Sequence, residues 1–321
     1  RIAQTEGWEL YLINRGNRNA ELPKNVKTIV IDINEEKEVA RKIEGMEFDV
    51  VCDFIGFEKA QLERDFRLFK NRVRQFMYIS SASAYNKPLA SPFITEGTTL
   101  ANPYWQYSRN KIECEEYLLH LYREEGFPVT IIRPSHTYSE RTLPLAVHGK
   151  KGAWQVIKRM LERKPIIVNG DGTTLWTVTH NTDFAKAFVG LMGNIHAIGE
   201  TFHITSDENL TWNQIHEAIA GVLGVEYKPY FVSSAFLAEV GKQFDFRGSL
   251  IGDKANSVIF DNSKVKKAVP DFVCTTRFDI GARKSIEYLL AHPEYQVEDT
   301  EFDIWCDRVI EVLEEAKQHL I

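Results

Sequence analysis

The sequence predicts an α/β protein built on a doubly wound parallel sheet, with a smaller mixed α/β domain at its C-terminal side. Three observations carry that prediction. As far as Arg133, short apolar runs alternate with charged, helix-periodic stretches. The apolar runs are nearly continuous rather than alternating, as strands buried on both faces require. Strands separated by helices also need crossover connections, which put helices on both faces of one sheet.

Residues 1–7 read as the tail of a helix, and residues 8–13 (WELYLI) as a strand running into Asn14, Arg15, Gly16 and Asn17. Residues 26–32 (VKTIVID) form a second strand, 35–43 a charged helix and 50–56 (VVCDFIG) a third strand. Residues 57–70 make an amphipathic helix with Leu62, Phe66, Leu68 and Phe69 as its apolar positions. The run Phe76-Met77-Tyr78-Ile79 is a buried strand that breaks into Ser80-Ser81-Ala82-Ser83-Ala84-Tyr85. After a polar loop, Asn102 reads as an N-cap and Pro103 as the first position of a helix reaching Glu125. Residues 129–133 (VTIIR) are the next strand. A doubly wound fold normally opens with a strand, a glycine-rich turn and a helix. No such turn stands near residue 1, so about twenty residues of strand and loop are expected before it.

Beyond Arg133 the pattern loosens. Helices are expected at 152–164, at 182–192, at 211–223 with Thr211 as cap, and at 234–244, 278–291 and 301–320. Asp261, Asn262 and Ser263 cap a further short helix. Strands are expected at 166–168, 201–204 and 227–232, with a turn at Gly170-Asp171-Gly172 and a loop at 245–258. The first domain then covers residues 1–150, with 175–205 contributing, and the second covers 151–174 and 206–321. The crevice between them should lie at the carboxyl ends of the parallel strands.

The net charge is −6 and no lysine/arginine run stands out, so neither nucleic acid nor an anionic membrane is an expected partner. No apolar stretch approaches the ~20 residues that cross a bilayer, and no signal peptide is visible at the start. Cys52, Cys114, Cys274 and Cys306 are too widely spaced for a metal site. They read as reduced thiols of a cytoplasmic protein.

The chemistry concentrates between Phe76 and Lys111. Tyr107 and Lys111 are four residues apart, one turn from each other on one helix face. A phenol beside an ammonium, facing a serine at a strand end, is an arrangement for moving a proton. A free tyrosine titrates near pH ~10 and is a poor base at neutrality. The Lys111 ammonium, together with a second positive charge on a bound oxidised partner, favours the phenolate and is expected to lower that value. A Y-x-x-x-K pair alone occurs on many helices by chance, so context carries the signal. That context is the serine-rich strand end before it, then Arg133-Pro134-Ser135-His136, Gly170-Asp171-Gly172, His180-Asn181-Thr182-Asp183 and Asp261-Asn262-Ser263-Lys264.

This ordered series resembles the extended short-chain dehydrogenase/reductases, in the NAD-dependent epimerase/dehydratase family, over nearly the whole chain. The resemblance implies a Rossmann fold and a catalytic group of Ser81, Tyr107 and Lys111, with Ser83 as the fallback hydroxyl and a substrate contact. Tyr107 would take a proton from a substrate hydroxyl while hydride leaves the same carbon for the nicotinamide, and Lys111 would hold the nicotinamide ribose. Asp32 and Ile33 would line the adenine, Phe54, Ile55 and Gly56 would run under the cofactor, and Ser80 and Pro134 would complete its site. Arg133 would support its strand end. NAD and NADP both stay open, because the strand end that selects between them carries Asn14 and Arg15, with Arg18 nearby, instead of an acidic residue.

Several residues depart from the family pattern. Ile55 stands where alanine or glycine is usual. Ala82 and Ser83 replace the Asp-Glu pair of nucleotide-sugar dehydratases, which argues against dehydration. His136 replaces an asparagine as a substrate contact or proton carrier. Trp176 replaces a diphosphate-binding arginine, with Arg247 or Lys254 available to compensate. The expected function is an NAD(P)-dependent epimerase of a sugar or sugar nucleotide, working through a transient ketone. The alternatives are an NADP-dependent dehydrogenase or carbonyl reductase, and a non-catalytic cofactor-sensing or RNA-associated relative. A homodimer stays open, with the Tyr107 helix and residues 57–70 as the pairing helices.

Overall fold

Residues 7–17 and 22–321 are described by a computed structural model. The helix tail expected before Gly7, and Arg18, lie outside the described residues. Strands β1 (Leu10–Asn14) and β2 (Val26–Val30) pair in parallel. They are followed by α1 (Glu36–Lys42), β3 (Phe48–Asp53), α2 (Lys59–Phe69) and β4 (Val73–Ile79). A short β5 (Phe93–Ile94) precedes α3 (Gln106–Glu125), β6 (Val129–Pro134) and β7 (His136–Tyr138). Next come α4 (Trp154–Leu161), β8 (Ile166–Asn169), β9 (Leu175–His180), α5 (Asn181–Leu191) and β10 (Thr201–Ile204). The chain continues through β11 (Asn209–Thr211), α6 (Trp212–Leu223), β12 (Pro229–Val232) and α7 (Ser234–Val240). It closes with β13 (Ile259–Phe260), α8 (Ser263–Ala268), α9 (Phe278–Ala291) and α10 (Thr300–Gln318).

The central sheet runs β10-β6-β4-β3, and each neighbouring pair is parallel. Its strands read as unbroken apolar runs because both faces are covered. Side chains alternate between the faces with period two. Phe76 and Tyr78 pack with Leu62 and Phe69 of α2 and Leu118 of α3. Met77, between them, packs on the other face with Phe188 and Leu191 of α5 and Val265 of α8. A third core, around Trp212, Phe246, Phe278 and Phe302, supports the C-terminal elements. There β9 pairs with β7 and β11, and β8 with β12. Among the described residues, no helix is long and apolar enough to cross a membrane, and the four cysteines are free.

Two expectations fail for reasons that bear on the site. The Tyr107 helix starts at Gln106 with Trp105 as N-cap, not at Asn102. The Asn102 side chain has other work: its amide donates to the carbonyls of Ser83 (2.7 Å) and Gly252 (2.6 Å), and its oxygen accepts from Tyr104 N–H. The expected loop at 245–258 contains an eight-residue π-helix, Arg247–Lys254. It lies on Trp105, where a Cβ on Gly248 would come within 2.1 Å of the indole Cδ1. The two glycines at 248 and 252 permit that approach. Strands β9 and β11 were not expected, and α7 stops at Val240, short of residue 244. There Gly241 faces Phe246, whose ring a Cβ would meet at 2.3 Å.

Candidate active site

The carboxyl ends of β4 and β6 and the first turn of α3 converge on one cleft of about 250 Å³. Its walls include Ser81, Ser83, Tyr107, Pro134, His136 and Trp176 of the residues expected from sequence. Ser81 caps the 3-10 turn Ala82–Ala84, its oxygen accepting from Ser83 N–H. The Ser81 and Ser83 hydroxyls share a hydrogen bond of 2.9 Å, and Ser108 donates to Ser83 at 2.8 Å. A chain of hydroxyls thus backs Ser81 from the protein side.

Lys111 is fully buried beneath Tyr107. Its ammonium donates to the carbonyls of Gly56 and Ile79, each at 2.7 Å, and so ties the ends of β3 and β4 together. The rings of Tyr78 (4.7 Å), Phe57 (4.8 Å) and Tyr107 (5.9 Å) surround it. Burial pushes Lys111 down to about 8. The acidity of Tyr107 in the chain alone is set mainly by burial. Burial of its ring, against Trp105 and Phe57, raises the phenol above its ordinary value, and a Ser81 hydrogen bond pulls it back. The Asp253 charge raises it further.

The expected cofactor residues fall along the strand ends. Arg15 is exposed and lies 4.0 Å from Asp32, whose carboxylate accepts from Asn34 N–H. Asn14 accepts from Gly16 N–H, and Ile33 packs at the edge of the sheet core. Phe54 and Ile55 leave apolar surface at the end of β3, 53% and 52% exposed. Gly56 is buried where a Cβ would meet Asp53 Oδ2 at 2.2 Å and Leu62 Cδ2 at 2.7 Å. Ser80 is not brought to the cleft: it is buried and donates to Glu115. Glu115 also takes the Arg133 guanidinium, whose remaining donors reach Tyr85 and the Glu96 carbonyl. Arg133 therefore does hold its strand end.

On the cleft wall, burial first, and then the charges of Lys254 and His148, push His136 down to about 3. That keeps its neutral form, with a ring nitrogen free to accept a proton, favoured at ordinary pH. Trp176 is buried and stacks on Trp212, with centroids 5.7 Å apart. Arg247 is exposed, 4.0 Å from Glu239, and is not on the cleft wall. Lys254 is on that wall, with Trp105, Lys87 and Asp253, which sequence reasoning missed. Lys87 and Asp253 sit outside any periodic pattern, and only the tertiary fold brings them together. No group of three metal-ligating side chains occurs among the described residues.

Comparison with known proteins adds the following. The model of a family described as NAD dependent epimerase/dehydratase matches residues 1–205. A Bacillus subtilis protein described as an uncharacterized UDP-glucose epimerase, YtcB, is 28% identical over 157 residues, 48% of this chain and 46% of that protein. The chloroplast stem-loop binding protein of 41 kDa b from Arabidopsis thaliana is 28% identical over 205 residues, 62% of this chain and 47% of that protein. The chain thus spans about half the length of these two curated relatives. The solved structure of UDP-glucuronic acid 4-epimerase from Bacillus cereus in complex with NAD aligns with a TM-score of 0.70 at 18% identity, covering 90% of this chain and 93% of that one. That likeness is one of fold.

Proposed function

The chain belongs to the NAD dependent epimerase/dehydratase family, and from that premise we propose that it is an NAD(P)-dependent epimerase of a sugar or sugar nucleotide. The observation that carries the reading is the convergence of Ser81 and Tyr107 on one cleft wall, with Lys111 seated directly behind Tyr107. The strand-end residues fit a dinucleotide. Phe54 and Ile55 offer half-exposed apolar surface, Gly56 lets the backbone pack closely, and Arg15 and Asp32 stand at neighbouring strand ends. Pro134 borders the same end of the cleft. When bound, a nicotinamide cofactor supplies the acceptance and return of a hydride at one carbon.

The remaining work falls to the chain's own residues. Tyr107 takes the proton of the substrate hydroxyl as that carbon becomes a ketone, and returns it when the alcohol re-forms. Ser81, fixed by Ser83 and Ser108, donates to the same oxygen. Lys111 spends two of its three N–H donors on Gly56 and Ile79, leaving one for the ribose. Its buried charge favours the phenolate once a second positive charge lies nearby. Ala82 and Ser83 offer no acid to expel water, so net dehydration is not expected.

The exposed Arg15 supports a second reading, an NADP-dependent dehydrogenase or carbonyl reductase, since arginine can pair a 2′-phosphate bidentately. Cofactor absorbance separates the two: an epimerase gives product with no net change, and a reductase consumes the reduced cofactor. The likeness to a stem-loop binding protein supports a third, RNA-associated reading. The net charge of −6 and the intact Ser81, Tyr107 and Lys111 weigh against it.

A further inference from the structure

The cleft wall carries buried N–H donors that have no acceptor among the described residues. Lys87, which enters from the loop after the serine-rich strand end, has a side chain only 1% exposed. Its ammonium lines the cleft with no hydrogen-bond acceptor among the described residues. Asp253 is its nearest countercharge, at 3.9 Å, beyond hydrogen-bond reach. Lys254 is also buried on that wall, 5.9 Å from the Trp105 ring, and close enough to His136 to depress it. Trp176 adds a second buried donor on the same wall, its indole N–H without an acceptor. On the wall itself two lysines meet one carboxylate, Asp253, while Asp245 acts on Lys254 from outside the lining, and His136 is held low. The π-helix puts Asp253 and Lys254 here, and such helices recur at functional sites.

From this cluster we infer that the substrate carries a carboxylate or phosphate on the sugar itself, held by Lys87, Lys254 and the Trp176 N–H beside the carbon that Ser81 and Tyr107 serve. The inference rests on the epimerase reading for its sugar and on the cleft geometry for its anion. A buried ammonium lacking an acceptor is costly, and an oxyanion supplies the acceptors. Burial pushes both lysines down, so an anion that favours their charged forms is favoured in return, and it pushes Asp253 up, which an anion nearby would do further. The cleft has room for a ring bearing one such group, about 250 Å³. It also explains how a chain with Trp176 in place of an arginine still presents a positive wall.

The test is calorimetric binding to the full chain, with NAD added, using glucose, glucuronate, glucose 6-phosphate and UDP-glucose as probes. Glucuronate or glucose 6-phosphate should bind roughly 10- to 100-fold tighter than glucose, the effect of one charge-assisted contact. Which of the two prevails distinguishes a carboxylate from a phosphate. Lys87→Gln should remove that advantage and Lys87→Arg should keep most of it. If neither anionic probe binds more tightly than glucose to the wild-type chain, including no binding at all, the inference falls whether or not the variants fold. It falls equally if the advantage survives in both Lys87→Gln and Lys254→Gln, or if only UDP-glucose gains, which would assign the charge to a diphosphate. Binding is read without turnover, so anion selectivity alongside an active Tyr107→Phe would sink the epimerase reading and leave the anion site standing.

Discussion

Adding one methyl group at Gly56 tests how the fold seats Lys111. The Gly56 carbonyl accepts from Lys111 at 2.7 Å and from Tyr78 at 3.0 Å. An alanine Cβ would lie 2.2 Å from Asp53 Oδ2 and 2.7 Å from Leu62 Cδ2, both too close to stand. Asp53 cannot simply swing away, because its other oxygen accepts from the N–H groups of Ile55 (2.8 Å) and Gly56 (2.9 Å). Each such bond to a charged group is worth about 1.5–3 kcal/mol. Leu62 is fully buried in the sheet core and cannot move freely either. Overpacking of this kind costs ~1–3 kcal/mol. The gain of ~0.4–1 kcal/mol that alanine brings by restricting the unfolded chain offsets only part of it. Gly56→Ala is therefore expected to lose about 1–2 kcal/mol in urea unfolding. It should also lose turnover, because relief moves the carbonyl that holds Lys111. A variant as stable and as active as the wild type would refute this account of the β3 end.

Two further outcomes follow from buried charges. Glu115→Leu strands the Arg133 guanidinium, whose side chain is 5% exposed, and should cost ~3–5 kcal/mol. Replacing Arg133 by leucine as well should recover part of that loss in the same urea titration, and a double variant worse than the single one would contradict the pairing. Burial first, and then the Asp53 charge, push Asp65 up to about 7 against the opposing pull of Arg64. A carboxyl raised in the folded state contributes stability that is fully present below its unfolded value of 3.8 and is lost as pH rises through about 7. Asp65→Asn removes that dependence, so the wild type should lose stability relative to the variant as pH rises from 3.8 through about 7, on top of a constant offset from the altered contact with buried Arg64. Parallel stability curves for the two proteins would contradict the assignment.

What the sequence made legible was local and periodic. The run Phe76 to Ile79 alternates between two cores because both faces of its sheet are covered, and its continuous hydrophobicity says so. Tyr107 and Lys111 meet through helix geometry alone. The rest depends on contacts between distant residues. Asn102 looked like a cap because caps and cross-links use the same amide, and only the approach of Gly252 decides which it is. The π-helix has as its sequence trace two glycines whose need arises from the Trp105 face they touch. The spacing that places Lys111 beside Tyr107 says nothing about the rings that bury them both and raise the phenol in the chain alone. Lys87 and Asp253 lie far apart in the chain and carry no pattern at all, yet they share the cleft wall.

The measurement that bears most directly on the central claim is turnover by Tyr107→Phe with cofactor binding followed in parallel. The substitution deletes one hydroxyl and leaves the ring against Trp105 and Phe57, so the cofactor should bind as it does to the wild type. Turnover should fall ~100- to 10,000-fold, the range for a lost general acid–base group. Near-wild-type turnover in a variant that binds cofactor normally would contradict the account.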